Sequence, residues 1–225
     1  MGNVGLLLVG VVLFVNGLAS LGIVSGRSAA PLNLFVGTAQ VVLPTIVLVQ
    51  AAGDAAIINA TWPSYLFGFT YLWFGLINLA GFEPQGFGWF SAFVAGIAAY
   101  QAVISVGTDP VFAVIWLTWA IMWTLFFLLL ALGVQRVGSI DLGRATGWFL
   151  VLLGIPSCTV SAIFLLNGTW TTAPEAGLLA LAALAASGVL AVVLARPHVR
   201  DATLSDDSAP VAVENTPAEA VLIAD

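Results

Sequence analysis

The sequence predicts an all-α polytopic membrane protein. Three observations carry that fold class. Of the 225 residues, 61% are hydrophobic, and only 7% are charged. The apolar residues are also gathered into seven stretches, each close to the roughly 20 residues a helix needs to cross a bilayer. An average soluble protein is about 45–50% apolar and about 25% charged. A soluble domain of this length could not cover its surface with the polar residues present. A soluble enzyme, a nucleic-acid binder and a disordered protein are therefore excluded.

The stretches run near 3–24, 31–52, 62–80, 87–106, 110–133, 144–166 and 174–195. The first is apolar apart from Asn16 in its interior, and it stops at Ser25-Gly26. The second carries a polar set, Asn33, Thr38, Gln40, Thr45 and Gln50, and stops at Ala52-Gly53-Asp54. Some of these groups must face other helices or water. The third is aromatic and stops at Glu83-Pro84-Gln85-Gly86; the fourth stops at Thr108-Asp109-Pro110. The fifth is followed by an arginine-bearing connection, 134–143, and the sixth by Asn167-Gly168. The seventh is Ala, Leu, Val and Gly around Ser187, and is expected at the periphery against lipid or a neighbouring protomer. Residues 197–225 turn polar and acidic and read as a disordered cytoplasmic tail.

Orientation follows from the arginines. With the N-terminus outside, Arg27, Arg136, Arg144, Arg196 and Arg200 all fall on inside segments. The positive-inside bias therefore predicts N-out, C-in.

Several chemistries have no residues to support them. There is no lysine for a retinal Schiff base. Cys158 and His198 are the only residues of their kinds, so no disulfide, metal cluster or cofactor is expected. Nothing resembles a nucleophile paired with a base, so the chain is not expected to be an enzyme. No acidic or basic residue lies in the interior of a span. Proton relays and voltage sensors need such residues. Their absence favours a passive path for a neutral solute. A cation-coupled carrier stays open, because backbone carbonyls at broken helices can hold Na⁺. Pro44 and Pro156 mark either such breaks or simple kinks.

Phe112, Trp116, Trp119 and Trp123 recur at steps of four, three and four. That spacing stacks them on one face of the fifth helix. The pattern alone leaves the stripe as a packing seam or a pore wall. Phe67 and Tyr71 share a face of the third span, and the Tyr71 hydroxyl must find a partner in an apolar setting. Leu6, Val9, Leu13 and Asn16 share a face of the first. Asn16 is an expensive buried amide unless hydrogen-bonded. It could join helices or meet a passing solute.

The runs VVLFVNGL around Asn16, NLFVG at 33–37, LFGFTYL at 66–72, WFSAFVA at 89–95 and AVIWLTWAIMW at 113–123 together resemble the AmiS/UreI family. These are bacterial inner-membrane channels for urea and short-chain amides. The resemblance covers roughly 1–166. It implies a six-helix channel core there, with 174–195 an additional transmembrane helix. It also implies a homo-hexamer with one pore per protomer. The pore would be lined by Asn16, Phe67, Tyr71, Trp116, Trp119 and Trp123 and narrowed by Leu6, Val9 and Leu13. A flat neutral solute could stack on the aromatic faces while a few polar groups replace its water. A cytoplasmic amidase or urease is the partner such a channel would serve. Three departures qualify this. The glutamate of the urea-channel branch falls at Leu153 here, which leaves small amides open as solutes. The predicted outside loop, 53–61, has only Asp54, so acid gating is not expected. The seventh span has no counterpart in the six-helix core.

Overall fold

The computed structural model describes residues 2–196. The predicted acidic tail, with His198 and Arg200, lies outside them. The chain folds as α1 (Gly2–Ser20), α2 (Gly26–Gln50), α3 (Ala55–Thr61), α4 (Pro63–Ala80), α5 (Gln85–Ser105) and α6 (Pro110–Leu130). Strands β1 (Arg136–Val137) and β2 (Ile140–Asp141) pair antiparallel as a small hairpin. A long final pair follows. α7 (Leu142–Gly154) runs through a π-helical segment, Ile155–Val160, into α8 (Ser161–Leu166), and α9 (Pro174–Leu194) ends the fold.

Short polar residues set the helix starts. Ser25 Oγ accepts from Ser28 N at α2, Asp109 Oδ1 from Phe112 N at α6, and Asp141 Oδ1 from Arg144 N at α7. Each satisfies an N–H that the first turn cannot pair. Pro63, Pro110 and Pro174 open their helices, where a missing N–H costs nothing. Asp54 caps α3 through two bonds, at 2.8 and 3.2 Å. The sequence predicts only a loop there. The hairpin has no signature in the sequence, because strands of two residues carry no periodic signal.

Among the described residues, six helical rods are long and apolar enough to cross a membrane: Gly2–Ser20, Gly26–Gln50, Gln85–Ser105, Pro110–Leu130, Leu142–Leu166 and Pro174–Leu194. Seven were expected. The exception is α4, whose 18 residues include Tyr65, Tyr71, Trp73 and Asn78. Those residues lower its apolarity without removing it from the bundle, where it lies along α2. Pro44 does not break α2, which runs through it. Pro156 sits in the π segment, where the helical ladder is already shifted.

The rods close into a ring. α1 touches α2, α2 touches α4, α4 touches α5, α5 touches α6, α6 touches α7, and α7 returns to α1. α1 and α7 run antiparallel and meet on glycines. A Cβ on Gly17 would stand 2.8 Å from the Gly147 carbonyl, and one on Gly10 would stand 3.0 Å from that of Gly154. Small residues let helix backbones approach where lipid supplies no hydrophobic drive. α9 stands outside the ring against α6 and α7. It buries only Gly177, Leu184 and Ala191, one residue every two turns. The peripheral position expected for it is the observed one.

Candidate functional site

Inside the ring lies a cavity of about 150 Å³ between α1, α2, α4 and α6. A cavity of this size holds a benzene-sized molecule. Its mouth is formed near the starts of α1, α4 and α6 by Asn3, Ser64 and Phe112. Its wall carries Leu6, Val9 and Leu13 from α1, Phe67 and Tyr71 from α4, and Trp116, Trp119 and Trp123 from α6. Eight of the ten residues singled out from the sequence are thus brought together. Among the described residues, no charged side chain lines the cavity.

The aromatics form a collar. The Phe67 ring lies 5.8 Å from Trp116 and nearly parallel to it, and 5.1 Å from Trp119 edge to face. Trp116 and Trp119 meet edge to face at 4.8 Å. A flat molecule between two rings needs about 7 Å, twice a carbon contact distance. The expected slot between aromatic faces is therefore shut in this conformation. Beyond Trp123 the way is blocked by Phe74, Phe87 and Phe126, with centroids 5.6–6.2 Å apart along the chain of contacts. None of the three is part of the cavity lining.

The polar groups divide into spent and free. Trp119 Nε1 donates to Ser157 Oγ at 3.2 Å. The π segment carries Ser157 and is held to α1 by Thr159 Oγ1, which donates to the Leu7 carbonyl at 2.8 Å. Tyr71 is buried, and its hydroxyl has no hydrogen-bond partner among the described residues, although it borders the cavity. The same holds for the Gln40 amide, which lines the cavity from α2. Gln40 was visible in the sequence only as one of five polar residues in its span. A buried carboxamide four residues before a proline was the available signal, but nothing in the pattern separated it from Thr38 or Thr45.

Two expected positions lie off the cavity. Asn16 Nδ2 donates to Asn33 Oδ1 at 2.9 Å, and Asn33 Nδ2 returns a bond to Asn16 Oδ1 at 2.7 Å. This reciprocal pair ties α1 to α2. Leu153 lines a second cavity of about 260 Å³, between α6, the π segment and α9, together with Ser157 and Trp170. A helix turn carries it to the far side of Trp119. At the mouth, Trp170 Nε1 donates to Asp109 Oδ2 at 2.7 Å and packs on Phe112 at 5.3 Å. The connection into α9 is thereby pinned to the start of α6.

Comparison with known proteins fits this architecture. A Rhodococcus erythropolis protein that carries the name transporter protein AmiS2 is 53% identical over 199 residues, 88% of this chain and 94% of that protein. A Mycolicibacterium smegmatis protein named for the transport of amidate substrates is 46% identical over 199 residues, 88% of this chain and 89% of its own. The crystal structure of the urea channel of Helicobacter pylori superposes with a TM-score of 0.68 at 27% identity, covering 76% of this chain and all of that one. The profile described as AmiS/UreI family transporter matches residues 1–169, which stops short of α9, whereas the matches covering 88% of the chain must reach across it. The sequence match and the helical ring lead to one conclusion: this chain is a multi-pass membrane protein belonging to the AmiS/UreI family.

Proposed function

We propose that the chain is a passive channel for urea and short-chain amides in the bacterial cytoplasmic membrane. The observation that carries the reading is the uncharged cavity at the centre of the ring, walled by aromatics and bordered by an unpartnered Tyr71 hydroxyl. Stripping an amide of its water costs roughly 2–7 kcal/mol, and hydrogen-bonding groups in the wall offset part of that. An ion faces a far larger desolvation cost, and no lining charge compensates it. The names of the relatives, which speak of amidate substrates and of urea, support the same solute class.

Passage requires Phe67 to turn away from Trp116 and the Phe74, Phe87 and Phe126 cluster to part. Leu6, Val9 and Leu13 form the apolar wall opposite the collar and exclude larger solutes. We assign the N-terminus to the outside, because Arg27 after α1, Arg136 and Arg144 after α6, and Arg196 after α9 fall on one side of the alternating bundle. The assembly is read as a homo-hexamer with a pore in each protomer. The chain carries no catalysis of its own and supplies solute to a cytoplasmic amidase or urease.

The test is stopped-flow light scattering on proteoliposomes with urea, acetamide and glycerol gradients. A channel gives amide and urea flux that rises linearly into high millimolar concentration and ignores ion gradients, with glycerol slow. Saturating flux that follows a sodium or proton gradient would assign a coupled carrier instead. Flux equal to that of empty liposomes for every solute would leave a non-transporting scaffold.

A further inference from the structure

Three carboxamides on α1 and α2 are more than nine-tenths buried: Asn16, Asn33 and Gln40. Two of them satisfy each other. Asn16 and Asn33 exchange reciprocal N–H···O bonds, and the second N–H of Asn33 goes to the Ala29 carbonyl at 3.0 Å. Gln40 lies two turns further along the same face of α2. It is 4% exposed and has no hydrogen-bond partner among the described residues. A buried amide without a partner is rare in folded proteins. This one is not sealed in packed protein, because it borders the cavity alongside Phe67 and Tyr71.

Its position is fixed rather than free. α1 passes so close that a Cβ on Gly5 would collide with Gln40 Oε1 and stand 3.1 Å from its Cδ. On the other side, a Cβ on Gly68 of α4 would stand 3.1 Å from the Gln40 carbonyl oxygen. Glycine at both positions is what lets α2 present this residue between its neighbours. The side chain is held against one helix and open to the cavity.

We propose that Gln40 is the specificity-determining residue for the solute, pairing with its carboxamide as Asn16 pairs with Asn33. The inference rests on the reading of the cavity as the solute path. A reciprocal pair needs a carbonyl and an N–H side by side on one edge of the solute. Urea and primary amides have such an edge. A secondary amide such as N-methylacetamide is trans, so a methyl group sits beside its carbonyl oxygen and its N–H points the other way. Gln40 therefore selects primary amides and urea over secondary amides. A neutral pair exchanged for hydration gains little net free energy, which suits a pore where binding must be weak enough to release.

The experiment measures background-subtracted flux of acetamide and N-methylacetamide through proteoliposomes of the full chain. The unaltered protein passes acetamide faster. Gln40→Met keeps the length and removes the amide; it lowers acetamide flux about tenfold and N-methylacetamide flux less than about twofold, so the preference collapses. Gly5→Ala keeps the amide and displaces it, and it shifts the ratio in the same direction. That variant, with the unaltered protein, carries the test if Gln40→Met does not assemble. Equal flux of the two solutes in the unaltered protein overturns the proposal. So does a ratio unchanged in Gln40→Met while Tyr71→Phe and Trp119→Phe alter flux, in which case the solute path itself stands. Unchanged flux in all three variants removes the path from this cavity, and the proposal with it.

Discussion

Trp119 shows how one contact alters what a residue can offer. In the sequence it is one tryptophan of a stripe, with an indole N–H that could serve a solute. In the structure that N–H is spent on Ser157, and only the ring remains for the cavity. Ser157 therefore meets the cavity wall through Trp119. Ser157→Ala frees the indole to turn and shifts the urea-to-acetamide flux ratio by about threefold. In a Trp119→Phe background the same substitution adds no further shift, and a double-mutant cycle on the two measures the coupling. Additive effects would show that Ser157 acts by another route. Asn16 makes the matching point about legibility. The sequence shows that it must find a partner. Only the register of α1 on α2 decides that the partner is Asn33, 17 residues away. Leu153 comes from matching the family's glutamate position along the sequence, and that match cannot say which side of Trp119 the helix turns it to.

At the scale of the element, the α1–α7 contact holds the ring shut. Gly10 and Gly17 face Gly154 and Gly147 across it, so backbone packs on backbone. Leucine at residue 17 would overlap the Gly147 carbonyl and the Val151 side chain. Overpacking of this kind costs typically 1–3 kcal/mol. Gly17→Leu therefore lowers the temperature at which the detergent-solubilised protein loses its monodisperse size-exclusion peak. Gly96→Leu is the control, because a Cβ there meets nothing within 4 Å, and it leaves that temperature unchanged. A tolerated Gly17→Leu would mean that α1 and α7 can separate without loss of the fold. Most helices were legible because a long apolar run between turn residues has no other reading in a membrane. α3 was not, since seven residues carry too little pattern, although Asp54 supplied the cap. The π segment was not legible either. Pro156 signals irregularity, but a kink, a break and a π turn all tolerate it.

For the whole molecule, the distribution of charge decides what crosses. The described acidic and basic residues sit at helix ends and connections, and none of them lines the cavity. Without a histidine or carboxylate among the described cavity-lining residues, solute flux at about pH 5 stays within about twofold of that at about pH 7.5. A large rise on acidification would place a titrating gate outside the cavity. α9 adds a further layer on one flank of the ring, joined to the mouth through Trp170 and Asp109. It was readable as a span and as peripheral, because its surface is uniformly small and aliphatic. Its attachment to the start of α6 was not readable, because that contact joins residues 61 apart.

The amino-acid sequence by itself determined the membrane class, the order of the long helices and the aromatic face of α6. Each of these follows from local composition and a helical period, which need no partner to be read. The tertiary structure alone decided which polar groups remain available inside the bundle. Asn16, Trp119 and Gln40 are all buried and all able to hydrogen-bond. Two have partners and the third borders open space. That difference comes from helix register and from where glycine lets backbones meet, and neither is encoded in any single segment.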